Sequence, residues 1–215
     1  MKPNPRIGAL KGWIHEQHLN DAAMKKYAKE FQNNKPIQHL LIKKFLQPKQ
    51  LIFLKNALEK QHFEQKESDL FSMQQTKDLK NSTTFVFSSF YTMLTSSYFQ
   101  KWLQEISGIP KLKNEADMHA LFIPKTGYLL PHDDYLDNRK IAYVLYLSPS
   151  FTTKEGGALE FFSVDRDNIP VKVVRSYPYQ ENSFMLFKVT RQSFHQISEV
   201  IVNKQRLTIG GWFHG

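Results

Sequence analysis

The sequence predicts an α+β fold, mainly β, with helices in the first half and a sandwich or jelly roll from about residue 116 to the end. Two observations carry this. Hydrophobic residues recur at helical spacing up to about residue 115 and with a period of two beyond it. Turn residues then punctuate the second half: Lys125-Thr126-Gly127, Asp137-Asn138, Glu155-Gly156-Gly157 and Gln180-Glu181-Asn182-Ser183. Short strands separated in this way close on each other in layered all-β cores.

The first helix is expected over Ala22–Gln32, capped by Asn20-Asp21 and stopped by Lys35-Pro36. Pro36–Phe45 reads as a short apolar strand. Gln47-Pro48 opens a second helix, with Leu51, Leu54, Leu58 and Phe53 at helical spacing. Residues 61–83 are polar, charged and without clear period, so a loop is expected there. From Ser88 to Ile106 the stripe Phe90, Met93, Leu94, Phe99, Trp102, Leu103, Ile106 predicts a helix packed into the core, ended by Gly108-Ile109-Pro110. The expected strands are Ala120–Leu130, Ile141–Leu147, Ala158–Phe162, Ser183–Val189 and Arg206–Phe213.

With 215 residues, 41% of them hydrophobic, the chain can bury a substantial single core, and 17 Phe suit a β-rich one. No apolar run approaches the roughly 18 residues a membrane helix needs. The opening MKPNPRIGALKGWIHEQ lacks the apolar stretch of a secretory signal, so a cytoplasmic protein is expected. Absence of cysteine excludes disulfides, thiolate metal sites and a cysteine nucleophile. The net charge is +9, and residues 1–60 alone carry 12 Lys and Arg against 4 Asp and Glu. Such a region attracts acidic partners such as RNA or ribosomes, or simply forms a solvated surface.

Three pieces carry chemistry. In His132-Asp133-Asp134, alternation along a strand would put His132 and Asp134 on one face and Asp133 on the other. An imidazole beside a carboxylate supplies two of the three ligands of a facial iron triad, although a polar surface turn has the same composition. Ser193-Phe194-His195-Gln196 follows the apolar strand Phe184-Met185-Leu186-Phe187 and offers a second histidine, or a packed structural one. Eleven residues further on, Arg206, Thr208, Gly210 and Trp212 share one face of a strand. An arginine at the mouth of an inward face, with a hydroxyl beside it, is a carboxylate clamp or a rim cap, and Gly210 leaves the cavity room.

The order of HxD, His and Arg, each on its own strand, resembles the Fe(II)- and 2-oxoglutarate-dependent oxygenases, whose core is a double-stranded β-helix of the jelly-roll kind. Tyr128–Asp134, the run Ile141-Ala142-Tyr143-Val144-Leu145-Tyr146-Leu147, Glu155-Gly156-Gly157-Ala158-Leu159 and Gly210-Gly211-Trp212-Phe213-His214-Gly215 make the chain prolyl 4-hydroxylase-like. It is most similar to the ribosomal-protein prolyl hydroxylases, over residues 36–215 and most strongly from Tyr128 onward.

The resemblance implies Fe(II) held by His132, Asp134 and His195. It implies 2-oxoglutarate and dioxygen as co-substrates, with ascorbate supporting activity. Arg206 and Tyr146 would bind the distal carboxylate of 2-oxoglutarate, Thr208 adding a donor, and Trp212 would line the pocket. Where many relatives place a tyrosine this chain has Phe122, and Tyr128 is the candidate to supply that contact. A basic helical extension, 1–35, would precede one catalytic domain, 36–215, with helices to about 115 and the β-helix core from 116. The eukaryotic ribosomal enzymes carry a second, non-catalytic β-helix domain, whereas this sequence reads as a single-domain version. The expected reaction is hydroxylation of a prolyl residue in a ribosomal protein or elongation factor, with no membrane partner. Three readings compete: a cupin-like metalloprotein, which has no need of Arg206, an oxygenase acting on a small molecule, and an RNA- or ribosome-binding protein with a vestigial site.

Overall fold

The computed structural model describes residues 10–215. Residues 1–9, the start of the basic N-terminal stretch and of the segment read for a signal, lie outside the described residues. In chain order the elements are α1 (Asp21–Asn33), β1 (His39–Lys43), α2 (Pro48–Leu58), β2 (Glu64–Ser68), β3 (Phe71–Gln75), α3 (Phe85–Thr95), α4 (Ser97–Ser107), β4 (His119–Ile123), β5 (Tyr128–His132), β6 (Arg139–Tyr146), β7 (Leu159–Val164), β8 (Pro170–Tyr177), β9 (Ser183–Lys188), β10 (His195–Ile197) and β11 (Arg206–His214). None of the described helices is long and apolar enough to cross a membrane.

The strands form one curled antiparallel sheet in the order β1-β9-β6-β11-β4-β3-β5-β10-β7-β8, with β2 paired to β3 alone. The β3 strand makes the bend. Its end, Gln74 and Gln75, pairs with β4, while its start, Phe71 and Ser72, pairs with β5. The two halves of the sheet therefore face each other across an interior, as in a jelly roll.

Alternation along the strands builds two cores. On β6 and β11, Tyr143, Leu145, Ile209 and Phe213 turn outward and pack with Phe31, Leu54, Phe90, Phe99 and Trp102 of the helices. The neighbours Ala142 and Tyr146 turn inward and join Met185, Phe187 and Phe161. The helical layer thus backs half of the sheet and leaves its inner face free for a site. The cap of α1 follows from Asn20, whose side chain accepts from the Ala23 N–H at 2.9 Å.

Four local readings need correction. Residues 61–83 are not a loop. They carry the β2–β3 hairpin and a short 3₁₀ turn, Leu79–Asn81. No residue of β2 or β3 is fully buried, so the strands leave no hydrophobic alternation to read. The expected single helix 88–106 is two, broken at Ser96, whose hydroxyl donates to the Met93 carbonyl and accepts from the Phe99 N–H. The segment 120–130 is split by Pro124–Gly127 into β4 and β5. The strand β8, which is largely exposed, was not expected, and the strand expected to carry His195, β10, has only three residues.

Candidate active site

His132 ends β5 and His195 begins β10, and the two are register partners across the sheet. Between the pairs His195↔His132 and Ile197↔Leu129, β5 spends one residue more than β10. That bulge inverts the alternation, so that both Leu129 and His132 lie on the cavity side. Strand alternation does not place Asp134, contrary to the sequence reading. The strand stops at His132, and Asp134 reaches the site through a left-handed backbone, φ +59°.

The three side chains converge. His195 Nε2 lies 3.3 Å from Asp134 Oδ2, and His132 Nε2 lies 3.5 Å from Asp134 Oδ1. One donor atom from each of the three lies within 4.8 Å of the others. Each imidazole is fixed by a backbone carbonyl. His132 Nδ1 donates to the Leu130 oxygen and His195 Nδ1 to the Ser193 oxygen, both at 2.8 Å. Since a carbonyl can only accept, each ring carries a proton on Nδ1 and turns its Nε2 to the centre.

Burial, reinforced by the neighbouring His195, holds His132 down to about 4. Burial by itself would raise Asp134, yet hydrogen bonding and charge from His195, with His132 behind it, hold its carboxyl down to about 2. The His132 imidazole and the Asp134 carboxylate are therefore deprotonated near neutrality, as ligation of a divalent cation requires. Two imidazoles and one carboxylate on one side of a cavity suit Fe(II) with open positions toward substrate.

The triad opens into a cavity of about 500 Å³ whose wall is mostly apolar and which also holds Arg206, Thr208 and Trp212. Arg206 is 2% exposed, so it lies at the bottom of the site rather than at its mouth. The turn Gly156–Gly157 closes over it. Gly157 has φ +66°, its carbonyl accepts from Arg206 Nε at 2.7 Å, and a Cβ there would stand 3.2 Å from Arg206 Cδ. Among the described residues no carboxylate pairs with this guanidinium. Its Nη2, the Tyr146 hydroxyl and Thr208 Oγ1 are all buried without a hydrogen-bond partner. Burial lowers Arg206 but raises Tyr146 to about 12, where Tyr146 remains a donor. Arg206 and Thr208 line the cavity; Tyr146 does not, and its ring centroid lies 5.6 Å from the Arg206 guanidinium carbon. A buried cation left unmatched beside a hydroxyl fits an anionic ligand such as a carboxylate.

The remaining sequence candidates divide. Trp212 lines the cavity, and its indole N–H helps to lower Asp134 without meeting hydrogen-bond geometry. Gly210 also lines it, and a Cβ there would meet the Tyr143 carbonyl at 2.9 Å, so close approach of β6 dictates glycine there as much as cavity space does. Tyr128 is not a wall of the cavity, because it precedes the β5 bulge and has the opposite facing from Leu129. Phe122 also turns away and packs edge-on against Phe63.

Sequence reasoning missed Tyr179 and Ser193. The Tyr179 hydroxyl donates to the Leu207 carbonyl and accepts from the Leu147 and Ser148 N–H groups, pinning β6 to β11 beneath Arg206. Its ring centroid lies 5.2 Å from the Arg206 guanidinium carbon. The Ser193 hydroxyl, fully buried, lies 2.8 Å from the Asp133 carbonyl and so ties the His195 turn to the Asp134 turn. A buried tyrosine amid turn residues is the only trace of these roles in the sequence.

Comparison with known proteins agrees with this geometry. The 2OG-Fe(II) oxygenase superfamily matches residues 118–214. Prolyl 3-hydroxylase OGFOD1 of Xenopus laevis is 34% identical over 84% of the chain, and that of Mus musculus 36% over 84%. These matches cover 35% and 33% of the two relatives, so the chain spans about a third of the length of the curated relatives it matches. Among solved structures, a Pseudomonas putida prolyl-4-hydroxylase superposes with TM-score 0.67 at 15% identity, covering 87% of this chain and 98% of that one. A Trichoplax adhaerens prolyl hydroxylase, in complex with a hypoxia inducible factor peptide, gives 0.70 at 14%, covering 93% and 92%. At such identity these two establish the fold.

Proposed function

We propose that the chain is a member of the 2OG-Fe(II) oxygenase superfamily and hydroxylates a prolyl residue of a protein, using Fe(II), 2-oxoglutarate and dioxygen. The observation that carries this reading is the placement of the converging His132–Asp134–His195 set and the buried Arg206, without a carboxylate partner among the described residues, on one cavity. Bound iron supplies the oxidising power, by which one oxygen atom of dioxygen enters a C–H bond while the other oxidises 2-oxoglutarate to succinate and carbon dioxide.

The protein's own part is positional. His132, Asp134 and His195 would hold the metal, with the Leu130 and Ser193 carbonyls fixing the tautomers. Arg206, Tyr146 and Thr208 would take the distal carboxylate of 2-oxoglutarate, orienting it from the floor of the cavity. The apolar wall keeps water from the reacting centre. Leu70, at the tip of the β2–β3 hairpin, and Leu130 line the cavity yet are 62% and 40% exposed, which suits a polypeptide laid across the mouth.

The frog and mouse relatives are prolyl 3-hydroxylases, which favours carbon 3 of the proline. For the substrate we favour a ribosomal protein or another component of translation. The basic surface of α1, where Lys25, Lys26 and Lys29 are exposed and form no ion pair among the described residues, would bring the enzyme to an RNA-bound target. Mass spectrometry of the proteome with and without the protein tests this reading. A proline that gains one oxygen atom only when the protein is present supports it, and no such proline would count against it.

A further inference from the structure

We propose that Arg139 is a positioning residue for the metal centre, its guanidinium holding the backbone of Asp134 with one N–H and the face of Trp212 with its plane. The proposal rests on the reading of His132, Asp134 and His195 as metal ligands. Asp134 is the one ligand not carried by a strand, and it sits at φ +59°, an uncommon non-glycine conformation that aspartate adopts more readily than most residues. The carbonyl of Asp134 accepts from Arg139 Nη1 at 3.2 Å. The Arg139 guanidinium carbon lies 3.4 Å from the centroid of the Trp212 ring.

The two strands involved are fixed to each other, since β6 and β11 pair Ala142 with Trp212 and Arg139 with His214. Arg139 forms no ion pair among the described residues, so nothing else competes for its charge. On the other side, the Ser193 hydroxyl lies 2.8 Å from the Asp133 carbonyl. The turn bearing Asp134 is thereby held by one side chain before the ligand and by another at the ligand itself. A carboxylate so fixed presents its oxygens to the histidines without having to be ordered by the metal. The stacked guanidinium also holds Trp212 against the ligand carboxylate, closing that side of the cavity.

The test is a titration of metal-free protein with Mn(II), followed by the electron paramagnetic resonance of free ion, alongside thermal unfolding of the same samples. Wild type should bind at one site. Arg139→Ala should bind about 10- to 100-fold more weakly, the range for loss of a group that orients a ligand, with the unfolding temperature of the metal-free protein little changed. Arg139→Lys should recover part of the loss. The Co(II) absorption spectrum of the alanine variant should change shape even at saturating metal, which a merely structural role would not produce. Affinity within twofold of wild type overturns the proposal. Should the alanine variant fail to fold, Arg139→Met keeps the stem over Trp212 but cannot donate to Asp134, and wild-type affinity in it overturns the proposal equally. If wild type itself binds no Mn(II), the metal-centre reading fails instead, so the two failures are distinct.

Discussion

His132 and His195 face each other across β5 and β10 as register partners, their ring centroids 4.2 Å apart. Two imidazoles this close, with one carboxylate within 3.5 Å of both Nε2 atoms, form a site that a cation completes. His132→Ala or Asp134→Ala should therefore abolish stoichiometric binding of Fe(II) or Mn(II), while the far-ultraviolet circular dichroism stays that of wild type. Retention of one tightly bound metal in either variant would place the ligands elsewhere.

Tyr146 sets function against stability. Its buried hydroxyl has no partner, and an unsatisfied buried polar group costs about 1–3 kcal/mol. Tyr146→Phe should leave the ligand-free protein as stable as wild type or raise its melting temperature. The same variant should weaken 2-oxoglutarate binding several-fold. A stability loss with unchanged 2-oxoglutarate affinity would assign the hydroxyl to the fold instead.

Gly157→Ala tests the turn over Arg206. The left-handed backbone alone disfavours a side chain by roughly 1–2 kcal/mol, and the added methyl would press on Arg206 Cδ and the Phe151 ring. Thermal melts should show a loss of at least that size, accompanied by a raised 2-oxoglutarate requirement. An unchanged requirement in a folded variant would mean that the turn does not position the guanidinium.

Replacing Lys25, Lys26 and Lys29 of α1 by glutamine should slow modification of a full-length, RNA-bound substrate at low salt. A short proline peptide should react at the wild-type rate, because it needs no steering. The difference should shrink above physiological ionic strength, where the screening length is about 8 Å. Equal rates on both substrates at low salt would make the basic face a solvated surface.

The legible parts of the fold were those with a strict period. β11 alternates Arg206, Thr208, Gly210 and Trp212 against Leu207, Ile209 and Phe213, and both its faces are covered, so its character shows in the sequence. The β2–β3 hairpin is just as much a wall of the cavity, through Leu70, Phe71 and Met73, yet no residue of its two strands is fully buried and it reads as polar loop. His132 and Asp134 were found by residue type and do face the same centre, but not through the strand alternation inferred for them. Local alternation cannot foresee a bulge set by a partner strand far along the chain, nor a left-handed turn at a non-glycine residue. Tyr179 and Ser193 act through distant backbone carbonyls and Arg139 through the distant Trp212 ring, which sequence spacing does not encode.

If the buried Arg206, which has no carboxylate partner among the described residues, receives a carboxylate of 2-oxoglutarate, calorimetric titration of Mn(II)-loaded protein with 2-oxoglutarate, without oxygen, will register the loss of that residue. Loss of a buried charge-assisted pair costs about 2–5 kcal/mol, some 30- to several-thousand-fold in affinity. Arg206→Ala should weaken 2-oxoglutarate by that factor while Mn(II) still binds, and Arg206→Lys should restore only part, since a point charge replaces a fork incompletely. Wild-type affinity for 2-oxoglutarate in Arg206→Ala would contradict the account.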